Sequence, residues 1–175
     1  ESLVSEVNAA IPTIGTWTQP ALLVQQGLLG EEGSNRIASL PMLAPEEKAP
    51  PGDALRGLDA KMWEIWNAVT RFQGEMGMKC NNRSETLLHE ASMPDFVDVE
   101  LTDSEADKWV GTFMMHKIIT LVFLGPGQGL LEMQPLDSVE DADPVEVRTE
   151  PGLVVVVRSD QLSYRYYSKG TDTSY

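Results

Sequence analysis

Cysteine, histidine and basic side chains are all scarce in this chain of 175 residues, and each shortage excludes something. Cys80 stands alone, so no intramolecular disulfide can form. Small secreted domains usually staple themselves with several, so a reducing, intracellular compartment is expected, either the cytoplasm or an organelle such as the chloroplast. Thirteen Lys and Arg face 27 Asp and Glu, a net charge of -14. That balance repels a phosphate backbone and an anionic lipid surface, which excludes nucleic acid as a partner and favours a basic protein surface. Long hydrophobic runs are missing as well. The longest, 118–124 and 153–157, fall far short of the ~20 residues a membrane-spanning helix needs, so no membrane span is expected. The chain opens Glu1-Ser2-Leu3-Val4 with no Met and no basic region, so any address signal is expected to be absent from it.

What is present starts with prolines at 12, 20, 41, 45, 50 and 51, scattered with glycines through residues 1–52. This composition predicts an extended docking arm. Its apolar residues Ile11, Ile14, Trp17, Leu22 and Leu23 are candidate contacts to a partner, because they are too numerous for a solvated leader. Within it, Pro20 and Gly30 bracket a short helix over 20–29. Residues 53–175 form the body of the protein in this reading.

Asp53 is a suitable N-cap, and Leu55, Leu58, Met62, Ile65, Val69, Phe72 and Met76 recur at three- and four-residue steps. They predict one long amphipathic helix ending near Gly77, with Trp63 and Trp66 widening its apolar stripe. Residues 78–101 lack a period and read as a connection holding His89, with a short strand near 96–101. Asn82-Arg83-Ser84 fits a glycosylation acceptor, which the cysteine count opposes. Thr102-Asp103-Ser104-Glu105 is a capping box that starts a second helix. Ala106, Trp109, Val110, Phe113 and Met114 supply its apolar face, and it should end near Met115.

The period then becomes extended. Strands are predicted at 116–124, 130–134, 144–148, 152–158 and 162–167, the first buried on both faces and joined to the second by a hairpin at Gly125-Pro126-Gly127-Gln128-Gly129. Acidic residues 137–143 lack the alternate ligand spacing of a calcium loop and read as solvated. Five strands without intervening helices predict an antiparallel sandwich or barrel with the helices outside.

Gly129-Leu130-Leu131, Glu150-Pro151-Gly152 and Ser159-Asp160-Gln161-Leu162-Ser163-Tyr164 follow one another in a recognisable order. This third of the chain resembles the C-terminal half of the jelly-roll core of Fe(II)/2-oxoglutarate dioxygenases of the prolyl-4-hydroxylase type. It is also similar to degenerate domains beside the synthase modules of dinoflagellate multidomain polyketide synthases. The resemblance implies an α+β fold: an antiparallel double-stranded β-helix, or jelly roll, with two packed helices and the extended N-terminal arm.

Its chemistry would need two histidines and a carboxylate around Fe(II). His89 is followed two residues on by Ala91 and His116 by Ile118, so neither opens a His-x-Asp/Glu pair, and the distal ligand position is Tyr164. Near the place of the basic residue that pairs with 2-oxoglutarate stand Lys169, Thr171 and Asp172. No catalytic residue, metal or cofactor is therefore assigned, and the expectation is a dioxygenase-like pseudoenzyme. It would serve as a protein-binding subunit of a larger complex, either a polyketide synthase or an organellar membrane complex carrying it as an extrinsic subunit. The alternative is a small-molecule-binding barrel or divergent oxygenase. Tyr164, Arg165 and Tyr166 alternate, so either the tyrosines or the arginine would line its mouth.

Overall fold

The computed structural model describes residues 2–30, 36–91, 99–137, 143–169 and 173–175. Along the chain run α1 (Leu3–Ala10), a 3-10 turn (Ile11–Thr13), α2 (Leu22–Leu29), β1 (Arg36–Leu40), α3 (Ala54–Val69), a second 3-10 turn (Thr70–Phe72), β2 (Thr86–Glu90) and α4 (Asp103–Met115). Five strands follow: β3 (Ile118–Val122), β4 (Gly129–Pro135), β5 (Val145–Thr149), β6 (Val154–Arg158) and β7 (Leu162–Ser168). The architecture is mixed α+β, with sheets β1–β2, β3–β6 and β5–β4–β7, none of them closed. The chain divides into two compact units, Glu1–Thr16 with Ala38–Leu88, and Trp17–Ile37 with His89–Tyr175.

Residues 1–52 are thus not an extended arm but two helices, a 3-10 turn and a strand. The prolines sit where they cost little: Pro12 opens the 3-10 turn and Pro20 precedes α2, while the other four follow β1. Ser2 caps α1 by accepting from the Ser5 amide, and Val7 and Ile11, four residues apart, are buried together on one side.

In the first unit Asp53 caps α3 as expected, accepting from the Arg56 amide at 3.0 Å. The buried side of α3, however, is Leu58, Asp59 and Trp63, rotated from the predicted stripe, and Phe72 is exposed. The α-helix stops at Val69 rather than near Gly77. There the Thr70 hydroxyl donates to the Asn67 carbonyl at 3.1 Å and the chain tightens into its 3-10 turn.

In the second unit, β3 pairs antiparallel with β6, in register Leu121↔Val155, and β4 pairs antiparallel with both β5 and β7. The segment after Gly125 is therefore not a hairpin, because it carries the chain from one sheet to the other. Leu121 and Val157 from one sheet, with Phe123 just beyond β3, share a core with Leu131 and Tyr166 from the other. Burying one such Leu fully contributes about 1.5–3 kcal/mol. Strand β3 is buried chiefly at Leu121, with Thr120 and Val122 half-buried on the opposite face, so the expected double-sided burial is not found. The segment 173–175 is tied in beyond these strands: the Leu124 amide donates to the Tyr175 carbonyl at 2.8 Å, and Ser174 forms isolated bridges to Ala91 and Pro126.

Candidate functional site

Strand β7 settles which side chains turn inward. Tyr166, paired with Leu131, is buried, and its ring lies 5.2 Å from that of Phe123. Tyr164 lies on the same face, packed against the core, and Arg165 is exposed. The end of α2 packs against this face. Leu29, the last residue of α2, is a member of the core cluster. The Tyr164 hydroxyl donates to the Leu28 carbonyl at 2.7 Å, which satisfies an oxygen that the helix end leaves without an intrahelical partner. Gly30 then turns away at φ 82°, and a Cβ on it would lie 2.8 Å from the Arg165 Cα, so only glycine fits between α2 and β7.

These residues do not suit an iron centre. Burial pushes the Tyr164 phenol well above its ordinary pKa, so it stays protonated and donates where a ligand would have to present a lone pair. His89 lies in β2, not in a loop, and burial lowers its imidazole to about 4. His116 caps the C-terminal end of α4, and its carbonyl accepts from the Ser159 hydroxyl at 3.1 Å; burial lowers its pKa as well. Among the described residues no three His, Cys, Asp or Glu side chains come together as a metal-binding group. Lys169 is exposed on the strand's far end, while Thr171 and Asp172 lie outside the described residues, as do most of 137–143 and part of 96–101; residues 99–101 form no strand.

Sequence reasoning overlooked a polar cluster in the first unit. Asp59 is fully buried and accepts from the Leu43 amide at 2.9 Å, the Thr86 hydroxyl at 2.7 Å and the Arg83 guanidinium at 2.6 Å. Burial pushes its pKa up, but the hydrogen bonds from Arg83, Thr86 and Leu43 outweigh this and leave the carboxyl below its usual value. The Arg83 guanidinium also lies 4.4 Å from the centre of the Trp63 ring, whose Nε1 donates to the Leu43 carbonyl at 2.9 Å. A charge at position 59, one turn from both Leu55 and Trp63, was the available signal. With its acceptors satisfied, the cluster is a structural pin.

Of the five apolar residues expected to meet a partner, Ile11 is buried in the first unit and Ile14 is half-buried. Trp17 is half-buried too, with Arg36 5.4 Å from its ring centre and Tyr175 tilted against it at 6.2 Å. Arg36 is held by both oxygens of Glu90. Leu22 and Leu23 remain exposed, at 43% and 66%. A hollow of about 190 Å³ in the first unit is lined by Leu3, Glu6, Pro50 and Asp53, but the Asp53 carboxylate is already engaged in capping α3. Cys80 is free and half-buried. Compared with known protein families, curated proteins and solved structures, the chain shows no significant match.

Proposed function

We propose that this chain is a non-catalytic jelly-roll module that acts as a protein-binding subunit of a larger assembly. The observation that carries the proposal is that Leu29 and the Leu28 carbonyl of α2 pack against the Tyr164 face, the face on which barrels of this kind admit a ligand. The jelly-roll reading is supported by the nested order of pairing, in which β4–β5 lies inside β3–β6 and β7 returns to β4. Such nesting arises when one antiparallel ribbon is wound across two sheets. A net charge of -14 and the exposed apolar side chains of α2 and α4 support a basic protein surface as the partner. The parent assembly is a polyketide synthase, or an organellar complex on which the chain is an extrinsic subunit, in a reducing compartment that keeps Cys80 free.

Purified protein incubated anaerobically with Fe(II) and then supplied with 2-oxoglutarate and oxygen should retain substoichiometric iron and release no succinate. One tightly held iron per chain with turnover of 2-oxoglutarate would overturn the non-catalytic reading.

A further inference from the structure

Helix α4 was expected to turn its apolar residues inward, yet Trp109 alone is buried among them. Val110 is 50% exposed, Phe113 38% and Met114 67%. Asp103, Asp107, Val110 and Met114 are spaced by four, three and four residues, so they form a single stripe along the helix. Its N-terminal half carries carboxylates and its C-terminal half is apolar. Alongside it lies α2. The Glu105 carboxylate accepts from the Ala21 amide at 3.0 Å, and the Phe113 ring would meet a Cβ on Gly27 at 2.6 Å. The two helices therefore run in parallel, early residue beside early residue and late beside late. Gly27 has no side chain, so Phe113 settles between the helices as a floor. Leu23, one turn before Gly27 and on the same side of α2, is 66% exposed and adds an apolar side chain beside that floor.

We infer that the α2–α4 groove docks one amphipathic helix of a partner protein. The partner's apolar ridge lies on Leu23, Val110, Phe113 and Met114, and its Lys or Arg residues meet Asp103 and Asp107. This deepens the assembly reading and rests on it. Two parallel helices with an apolar floor are the receptor in helix-in-groove recognition. Charge selects the occupant: at -14 per chain a second copy would be repelled, whereas a basic segment meets acid at one end of the stripe and an apolar surface at the other.

The probe is a fluorescent Leu/Lys peptide with helical amphipathic spacing, beside a scrambled peptide of identical composition, both titrated by anisotropy against the full chain. The ordered peptide should bind more tightly than the scrambled one by about tenfold or more. A Val110→Ser/Met114→Ser variant, whose changes are at exposed positions and should leave melting unaltered, should lose about tenfold in affinity. Asp103→Asn/Asp107→Asn should weaken binding and flatten its salt dependence. Equal binding of the scrambled peptide, or an unaffected serine variant, overturns the groove. So does micromolar self-association that the serine variant abolishes, or binding of wild-type chain to anionic vesicles that the same variant abolishes. Incorporation separates the two readings. If the serine variant enters the native complex as well as wild type does, the groove falls and the assembly reading stands. If wild type enters no complex while the ordered peptide binds in the variant-sensitive way, the groove stands and the assembly reading falls.

Discussion

In the unit formed by Glu1–Thr16 and Ala38–Leu88, the fully buried side chains are Val7 and the carboxylate of Asp59, whereas in the unit formed by Trp17–Ile37 and His89–Tyr175 they include Leu131 and Val157. One interior is organised around a charge and the other around apolar side chains shared by two sheets. A buried carboxylate is tolerable only where donors surround it, so the first unit depends on three particular groups. The second depends on volume, which many side chains share. Polar specificity and apolar packing should therefore fail differently when single residues are changed.

The largest effect is expected from Arg83→Met, which leaves Asp59 buried without its cation. Removing one partner of a buried pair costs about 3–5 kcal/mol, measurable by urea unfolding. This loss should shrink in acid. The Asp59 pKa is lowered by folding, so its contribution is complete above the ordinary carboxylate value of 3.8 and disappears as pH falls through the folded value. An Arg83→Met cost that is small, or that does not change with acid, would show that the pin is no pin. Leu131→Ala, in the other interior, should cost about 2–5 kcal/mol through the cavity it leaves, with no such pH dependence. If Leu131→Ala proved as pH-sensitive as Arg83→Met, the contrast between the units would collapse.

Tyr164→Phe should cost about 1–2 kcal/mol, because the Leu28 carbonyl loses its donor, and amide exchange around the end of α2 should quicken. Unchanged exchange there would mean that the hydroxyl does not hold the helix in place. At neutral pH the smallest effect belongs to His89, whose contribution emerges only in acid. Its imidazole falls to about 4 on folding from an ordinary 6.5, so the unfolded chain takes up a proton first. Stability should be full above pH 6.5 and decline as pH falls towards 4, and His89→Gln should remove that part of the slope.

The five C-terminal strands were legible because β-branched runs end at turn residues, and the Asp53 and Thr102 caps were legible because a cap is a local contact. The strand pairing was not. Whether 125–129 turns a hairpin or crosses between sheets depends on long-range partners that no local pattern records. Residues 1–52 misled through their prolines, which punctuate helices here instead of preventing them. At the candidate site, alternation placed Tyr164 and Tyr166 on one face but could not choose its direction. That choice rests on Leu29 and the Leu28 carbonyl, more than a hundred residues earlier in the chain. In α4, Val110, Phe113 and Met114 read as core because apolar periodicity looks the same whether the cover is the chain's own sheet or another protein.

Whether this chain works by joining other proteins is tested most directly by its sedimentation in a gentle extract of its native source, at low and at high salt. A chain of 19.3 kDa that serves as an assembly subunit should travel with a far larger complex at about 0.1 M salt and be released towards about 1 M, as the screening length falls from about 10 Å to about 3 Å. Sedimentation as a free 19.3 kDa monomer at the lower salt, with nothing accompanying it, would contradict the account.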